Sequence, residues 1–303
     1  MEILRDEFGP EYVVRVTDPA LDMEGFLVID NTALGPGKGG MRMTPDVSAH
    51  EVFRLARTMT WKNAMAGIPF GGAKSGIIWR GGSESEKRAV IQSFARALKP
   101  LIPKKYIGGP DVNTGEREMQ WFAEAHGNWK SVTGKPANYC MDVFGKKGEK
   151  CGIPHEFGST GFGVSRATSV AAELLGMDLS KARVAIEGFG NVGSFAFKHL
   201  RELGATIVAV ADKDGTAYNE KGLDGAVLVK LKSEGKSVGK YPQAQQLHHD
   251  DIFTLPVDVL IPAAVTDVIN DNNKSHIKAK LIVEGANIPM TEAVERELYD
   301  RGI

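Results

Sequence analysis

The stretch Arg183-Val-Ala-Ile-Glu-Gly-Phe-Gly-Asn-Val-Gly193 decides the fold of the second half of the chain. It begins with a short, mainly apolar run that is typical of a buried strand, and three glycines follow at the spacing G-x-G-x-x-G. Apolar residues at helical spacing come next, and a second apolar run, Thr206–Ala211, ends at Asp212. This order of strand, glycine turn, helix and strand predicts a parallel, doubly wound α/β sheet.

The same stretch predicts a dinucleotide-binding site. Gly188 allows a tight turn, Gly190 lets the backbone approach a pyrophosphate, and Gly193 lets helix and strand pack closely. The helix N-terminus offers unpaired N–H groups and a partial positive charge to the phosphates. Asp212 can accept hydrogen bonds from the adenosine ribose, which favours NAD, but the neighbouring Lys213 could face the 2′-phosphate of NADP. A glycine turn in an unliganded α/β sheet is the alternative interpretation.

The first half of the chain predicts a mixed α/β domain. Glu11–Val16 and Gly25–Asp30 have strand patterns, and Ser48 and Ser83 each begin a helix with a glutamate three residues later. Between these helices, Gly71–Ile78 is predicted to be a loop running into a strand. A second G-x-G-x-x-G match, at residues 35–40, is followed by Met-Arg-Met-Thr-Pro, which cannot begin a helix at once, so it is interpreted as a chance match.

Length and composition set the remaining limits. The chain has 303 residues, which predicts two domains, assigned as residues 1–155 for the substrate and 156–303 for the dinucleotide. Lys+Arg number 37 against 38 Asp+Glu, so the net charge of −1 argues against nucleic-acid and anionic-membrane partners. No apolar run approaches the ~18 residues of a membrane span, and no signal-peptide pattern is present. Two cysteines suggest reduced thiols and a cytoplasmic protein.

Three lysines in the first half stand in unusual sequence surroundings, two of them among glycines. Lys38 lies in Gly-Pro-Gly-Lys-Gly-Gly, Lys62 in Thr-Trp-Lys-Asn-Ala and Lys74 in Gly-Gly-Ala-Lys-Ser-Gly. Limited solvation can lower a lysine pKa towards neutrality and permit base chemistry. With Asp111 in another tight glycine loop, these cations suit a small dianionic substrate and a proton-transfer step, although surface turns with such compositions are also common.

At these residues the chain resembles the glutamate, leucine, phenylalanine and valine dehydrogenase family. The similarity extends in order along nearly the whole chain, through the stretches Gly37–Arg42, Met59–Ala64, Pro69–Gly76, Pro110–Thr114, Ser159–Gly161, Gly188–Gly193, Ile261–Ala264 and Val283–Asn287. The resemblance implies NAD- or NADP-dependent oxidative deamination of an L-amino acid. It also implies a substrate and oligomerisation domain followed by a Rossmann-type dinucleotide-binding domain, and a homo-oligomer, with a hexamer favoured. The residues themselves predict no metal, because no further ligand pair at metal spacing accompanies His248-His249.

The resemblance also assigns roles to residues. Lys74 is the catalytic base, Asp111 shuttles protons to the amino group and Lys62 holds the substrate α-carboxylate. Lys38 stands where glutamate-specific members bind the side-chain carboxylate, which favours L-glutamate and 2-oxoglutarate, with ammonia, over leucine, valine or phenylalanine substrates. The predicted cofactor-binding residues are Thr160, Gly188, Gly190, Asn191, Val192, Gly193, Asp212, Ala263 and Asn287.

One feature departs from the family pattern, and one stretch has no assigned chemistry. The family continues beyond Arg301-Gly302-Ile303 with a further segment, so a non-catalytic nucleotide-binding fragment or subunit is a second alternative. The stretch Lys230–Lys240 is predicted to be a charged loop without chemistry.

Overall fold

The computed structural model describes residues 5–136 and 157–303, which fall into two compact units. The first unit contains the described residues up to 136 and the second contains those from 157 onward. The predicted domain boundary after residue 155, and both cysteines, lie outside the described residues. No helix in these two ranges is long and apolar enough to cross a membrane.

The first unit is built on a mixed sheet covered by helices. Its strands are β1 (Tyr12–Asp18), β2 (Met23–Asn31), β3 (Gly37–Lys38), β4 (Met41–Thr44), β5 (Gly71–Ile78) and β6 (Tyr106–Ile107), and its helices are α1 (Ala49–Met65), α2 (Glu84–Ala97) and α3 (Glu116–His126). The sheet order is β1-β2-β5-β3-β6, with β4 also paired to β5. The strands β1, β2 and β5 are antiparallel, whereas β3 and β4 run parallel to β5.

The predicted loop at the start of Gly71–Ile78 is wrong, because all eight residues form the central strand β5. Its glycines let neighbouring backbone approach closely. A Cβ added at Gly72 would lie 2.0 Å from Thr60 Oγ1 and 2.3 Å from the Thr60 amide nitrogen, so helix α1 packs directly on the bare strand. The glycines therefore serve close packing of helix on sheet, and a sequence pattern read locally mistakes them for a turn.

We expect Gly72→Ala to lower the free energy of unfolding of the first unit by about 2–3 kcal/mol. The added methyl group meets the backbone of α1, which cannot move away as a flexible side chain could. Thermal unfolding followed by circular dichroism measures the effect. Gly115→Ala is the control in the same unit, since its Cβ would meet only Glu118 Oε2, at 3.6 Å. Equal melting temperatures for the two variants would contradict the packing argument.

The second unit is a doubly wound sheet, as predicted. Its strands are β7 (Arg183–Glu187), β8 (Thr206–Asp212), β9 (Gly215–Tyr218), β10 (Gln245–Leu247), β11 (Val259–Pro262) and β12 (Leu281–Ile282), and its helices are α4 (Ser159–Leu174), α5 (Asn191–Glu202), α6 (Gly225–Ser233) and α7 (Glu292–Asp300). The order is β10-β9-β8-β7-β11-β12. The four strands β8, β7, β11 and β12 are parallel, whereas β9 and β10 form an antiparallel edge.

Burial on both faces explains why the parallel strands are so apolar. In β8 the five residues Ile207–Ala211 are fully buried, and the residues of β7 after Arg183 are also buried. Helices cover both sides of the sheet, as parallel sheets require. The carboxyl ends of β7, β8 and β11 therefore lie side by side, which brings their following loops together at one edge.

Candidate active site

The centre of the first unit's site is a buried chain of charged groups. Lys74 lies in β5 with 2% of its surface exposed, and its Nζ is 3.1 Å from Asp111 Oδ1. The other carboxylate oxygen of Asp111, Oδ2, accepts a hydrogen bond of 2.9 Å from Arg42 Nε. Arg42 is buried in β4 and also pairs with Glu51 at the start of α1. The sheet thus joins residues that are far apart in sequence.

These neighbours set the protonation of both catalytic candidates. Burial lowers the pKa of Lys74, and the charges of Arg42 and Lys62 add to this, while Asp111 opposes it. Burial by itself would raise the pKa of Asp111, but Lys74 and Arg42 outweigh it and hold that pKa below its ordinary value. The site therefore pairs an ionised carboxylate with a lysine that gives up its proton more easily than usual.

Lys38 lies beside this pair. Its Nζ donates a hydrogen bond of 2.9 Å to the Gly108 carbonyl, and a Cβ at Gly109 would come within 2.8 Å of that nitrogen. Burial, followed by the charges of Lys74 and Lys135, lowers the pKa of Lys38 to about 8. Gly109, two residues before Asp111, is therefore needed for space around the Lys38 ammonium group.

Lys62, the fourth predicted residue, lies in the last turn of α1 and is exposed. Its charge is among those that lower the pKa of Lys74, which places the two ammonium groups near each other. The structure therefore brings Lys38, Lys62, Lys74 and Asp111 together within one unit.

Sequence reasoning missed two cations at this site. Arg42 ends the motif Gly37–Arg42 but was given no role, and only the pairing of β4 with β5 shows that it orients Asp111. Lys135 is 7% exposed, with Nζ 4.1 Å from the centre of the Trp129 ring and hydrogen-bonded to the Val132 carbonyl. Burial lowers the pKa of Lys135 to about 8. The Thr-Gly-Lys-Pro turn at residues 133–136 was the available signal.

In the second unit, the three fingerprint glycines serve different purposes. Gly188 has φ +99°, a conformation that glycine adopts without strain. A Cβ at Gly193 would lie 1.9 Å from the Gly188 carbonyl oxygen, whereas a Cβ at Gly190 would meet nothing within 4 Å. Gly193 thus permits close packing of α5 on β7, and Gly190 leaves an open approach at the helix N-terminus.

Of the remaining predicted cofactor residues, Asn191, Val192, Ala263 and Thr160 lie at or near this N-terminus. Asn191 and Val192 begin α5, and a Cβ at Gly285 would lie within 3.2 Å of both Val192 Cγ1 and the Ala263 side chain. Thr160 is exposed in the first turn of α4, next to a glycine packed on the start of α5. Asn287 follows β12 and accepts a hydrogen bond from Thr266 Oγ1 through its carbonyl, at 3.3 Å.

A cavity of about 490 Å³ opens at the carboxyl ends of β7 and β8. Of the predicted cofactor residues, Gly188, Gly190, Asp212 and Ala263 line it. Lys232, Gly235, Lys236 and Ser237 also line it. The prediction that Lys230–Lys240 is a loop is wrong for residues 230–233, because α6 continues to Ser233. A bare glycine loop, a helix N-terminus and a carboxylate at the carboxyl end of β8 beside one cavity fit a dinucleotide.

Buried Glu187 pairs with half-buried His249 and also contacts Ala264, a residue of the cavity lining. Glu187 Oε2 accepts a hydrogen bond of 3.2 Å from the Ala264 amide, and His249 Nε2 lies 3.3 Å from Glu187 Oε1. Burial raises the pKa of Glu187, although its hydrogen bonds oppose this. Within residues 5–136 and 157–303, no group of three or more histidine, cysteine and acidic side chains is arranged to hold a metal ion.

Comparison with known proteins identifies the family. A family model described as glutamate/leucine/phenylalanine/valine dehydrogenase matches residues 151–303. The model of the Glu/Leu/Phe/Val dehydrogenase dimerisation domain matches residues 10–127. The chain belongs to this family. The two matches follow the same order as the two units of this family member, with the lysine site in the first and the dinucleotide fold in the second.

Individual members of this dehydrogenase family are similar over most of the chain. A glutamate dehydrogenase from Aeropyrum pernix is 39% identical over 282 residues, and one from Thermotoga maritima is 38% identical over 304 residues. These matches cover 90% and 97% of this chain, and the chain spans 65% and 70% of the relatives' lengths. The leucine-bound hetero-hexameric glutamate dehydrogenase from Thermus thermophilus has a TM-score of 0.82 at 30% identity, covering 97% of this chain and 71% of that one.

Proposed function

We propose that this protein catalyses the reversible oxidative deamination of L-glutamate with NAD or NADP. The balanced reaction converts glutamate, water and the oxidised dinucleotide into 2-oxoglutarate, ammonium, a proton and the reduced dinucleotide. The observation that carries the proposal is the buried Lys74–Asp111 pair, with Nζ and Oδ1 separated by 3.1 Å and Lys38 beside it. The names of the similar proteins support the same activity.

In this proposal each charged residue of the site in the first unit has a specific role. Lys62 binds the α-carboxylate of the substrate and Lys38 binds its side-chain carboxylate. Neutral Lys74 takes a proton from the water that adds to the imino carbon, and its lowered pKa makes the neutral form accessible. Asp111 passes protons to and from the substrate nitrogen, while Arg42 holds its carboxylate in place.

The second unit binds the dinucleotide in this proposal. Gly190 and the N-terminus of α5 hold the pyrophosphate, and Asp212 lies at the ribose end. Thr160, Asn191 and Asn287 lie around the nicotinamide end, and Val192 and Ala263 complete the binding site. When bound, the dinucleotide accepts a hydride from the substrate Cα. Gly193 acts indirectly, because it keeps α5 close enough to β7 for this arrangement.

An absorbance assay of reduced dinucleotide with 2-oxoglutarate and ammonia tests the proposal. Oxidation of NADH or NADPH is expected, and it should be faster than with 4-methyl-2-oxopentanoate, the oxo acid of leucine. The reverse preference would support a leucine, valine or phenylalanine dehydrogenase. Dinucleotide binding without turnover would support the non-catalytic alternative and refute the proposed activity.

We expect Lys38→Leu to lower kcat/KM for glutamate by about 10²-fold, with a smaller loss for leucine, because only glutamate has a second carboxylate. The pKa of about 8 adds a pH test. Lys38 is charged below that pH, so KM for glutamate should rise as the pH increases through 8. Steady-state kinetics from pH 7 to 9 measures both effects, and the pH dependence should flatten in the variant. Equal losses on both substrates would refute this role.

The assembly is also part of the proposal. We expect a homo-oligomer, with a hexamer favoured, formed through the first unit. Two observations support this: the matched model of that unit is described as a dimerisation domain, and β1 is an edge strand of its sheet. The cytoplasmic location stays a prediction from the sequence.

A further inference from the structure

The lining of the 490 Å³ cavity includes several positive charges. Lys213, Lys232 and Lys236 line the cavity, together with Asp212 and Asp214. These residues lie past the carboxyl end of β8, where a doubly wound fold holds the adenosine ribose and distinguishes a free 2′-hydroxyl from a 2′-phosphate. Among the lining residues three cations outnumber two carboxylates, and Lys236 is also paired with Glu234 outside the lining.

Asp212 already has hydrogen-bond donors within the protein. Its Oδ1 accepts bonds from Ser237 Oγ at 2.6 Å and from the Asp214 amide at 3.1 Å, and its Oδ2 accepts a bond of 2.9 Å from the Val238 amide. Lys232 Nζ adds a fourth approach, 4.0 Å from Oδ2. A carboxylate that selects NAD must accept hydrogen bonds from the ribose hydroxyls, and this one is largely committed to holding residues 237–238.

The lysines, in contrast, retain freedom to reach a ligand. The exposed fractions of their side chains are 89% for Lys213, 45% for Lys232 and 60% for Lys236. The contact of Lys213 with Asp214 is long, at 4.0 Å, and the pair of Lys236 with Glu234 is exposed. Such exposed pairs are weak, so a phosphate with nearly two negative charges can replace them as the lysines' partner.

We infer that this cavity selects NADP over NAD, with Lys213, Lys232 and Lys236 binding the 2′-phosphate and Asp212 positioning the loop that carries Ser237. The inference rests on the proposed function, because it requires a dinucleotide in this cavity. It assigns to Lys232 and Lys236, within the stretch 230–240, a specificity role that composition alone did not reveal.

Binding to the purified full chain tests the inference without any need for turnover. Titration calorimetry with NADPH and NADH is expected to give an affinity at least about tenfold higher for NADPH. The fragments 2′,5′-ADP and 5′-AMP, which differ only in the 2′-phosphate, should show the same preference. Added sodium chloride should reduce the preference, because these lysines are exposed to solvent.

Replacement of Lys213, Lys232 and Lys236 together by alanine should weaken NADPH binding about tenfold and change NADH binding less than twofold. Lys230→Ala is the control for the loss of a single positive charge from α6, at a position that does not line the cavity. Equal affinities of the unmodified chain for both coenzymes, or equal weakening of both in the triple variant, would overturn the inference. Absence of any dinucleotide binding would instead refute the proposed function, and the inference with it.

Discussion

Lys74→Ala should lower kcat for glutamate oxidation by about 10³-fold or more while dinucleotide binding changes less than twofold. The side chain is buried in β5, and alanine leaves the Asp111 carboxylate with Arg42 but without a base beside it. The dinucleotide fold lies in the other unit, so unchanged binding shows that the substitution leaves the second unit intact. Steady-state kinetics and calorimetry on one preparation measure the two effects separately.

Two further variants separate base chemistry from structural damage. Lys74→Arg retains the positive charge but cannot lose its proton near neutral pH, so it should be as inactive as the alanine variant. Lys104→Ala, an exposed lysine of the same unit, should retain full activity. An arginine variant with substantial turnover would refute the role of Lys74 as the base.

The charge of Asp111 also gives this prediction a pH signature. Lys74 acts as a base only when neutral, so kcat/KM should rise as pH increases through its pKa. Asp111 raises that pKa, whereas burial lowers it. Asp111→Asn should therefore move the rising limb of the pH profile to lower pH, even though the variant is slower. A shift of the limb to higher pH would contradict the pairing.

Alanine at Gly190 and at Gly193 should produce opposite phenotypes, which is the second large effect we expect. A Cβ at Gly193 would lie 1.9 Å from the Gly188 carbonyl oxygen, so Gly193→Ala should lower the melting temperature of the second unit by about 5–10 °C. A Cβ at Gly190 meets nothing within 4 Å, and its φ of −86° is open to alanine. Gly190→Ala should therefore keep the melting temperature within about 2 °C.

Ligand binding then reveals the purpose of Gly190. Its methyl group would occupy the open approach at the N-terminus of α5, so NADPH and NADH should both bind at least about tenfold more weakly. Gly163→Ala, whose Cβ also meets nothing within 4 Å in α4, is the control; it should leave binding unchanged and raise stability slightly, because alanine is favoured over glycine inside a helix. Unchanged affinity in Gly190→Ala would show that the pyrophosphate does not approach this loop.

Much of the second unit follows from sequence because its signals are local. The strand Arg183–Glu187, the glycine turn and helix α5 are consecutive, and their apolar spacing reports burial directly. The site lysines of the first unit were also predicted from sequence, because the motifs that contain them are continuous along the chain. The roles of these residues stay predictions until the variants are measured.

The sequence by itself determined the doubly wound fold, the family and the identity of the central lysines. Tertiary structure alone decided that Gly71–Ile78 is a central strand and that Arg42 holds Asp111 against Lys74. It also decided that Ser237 donates a hydrogen bond to the Asp212 carboxylate. Patterns of polarity and glycine report what surrounds each residue on average, whereas these contacts join positions 25 to 69 residues apart. Such contacts depend on strand register and on helix packing, which no local pattern specifies.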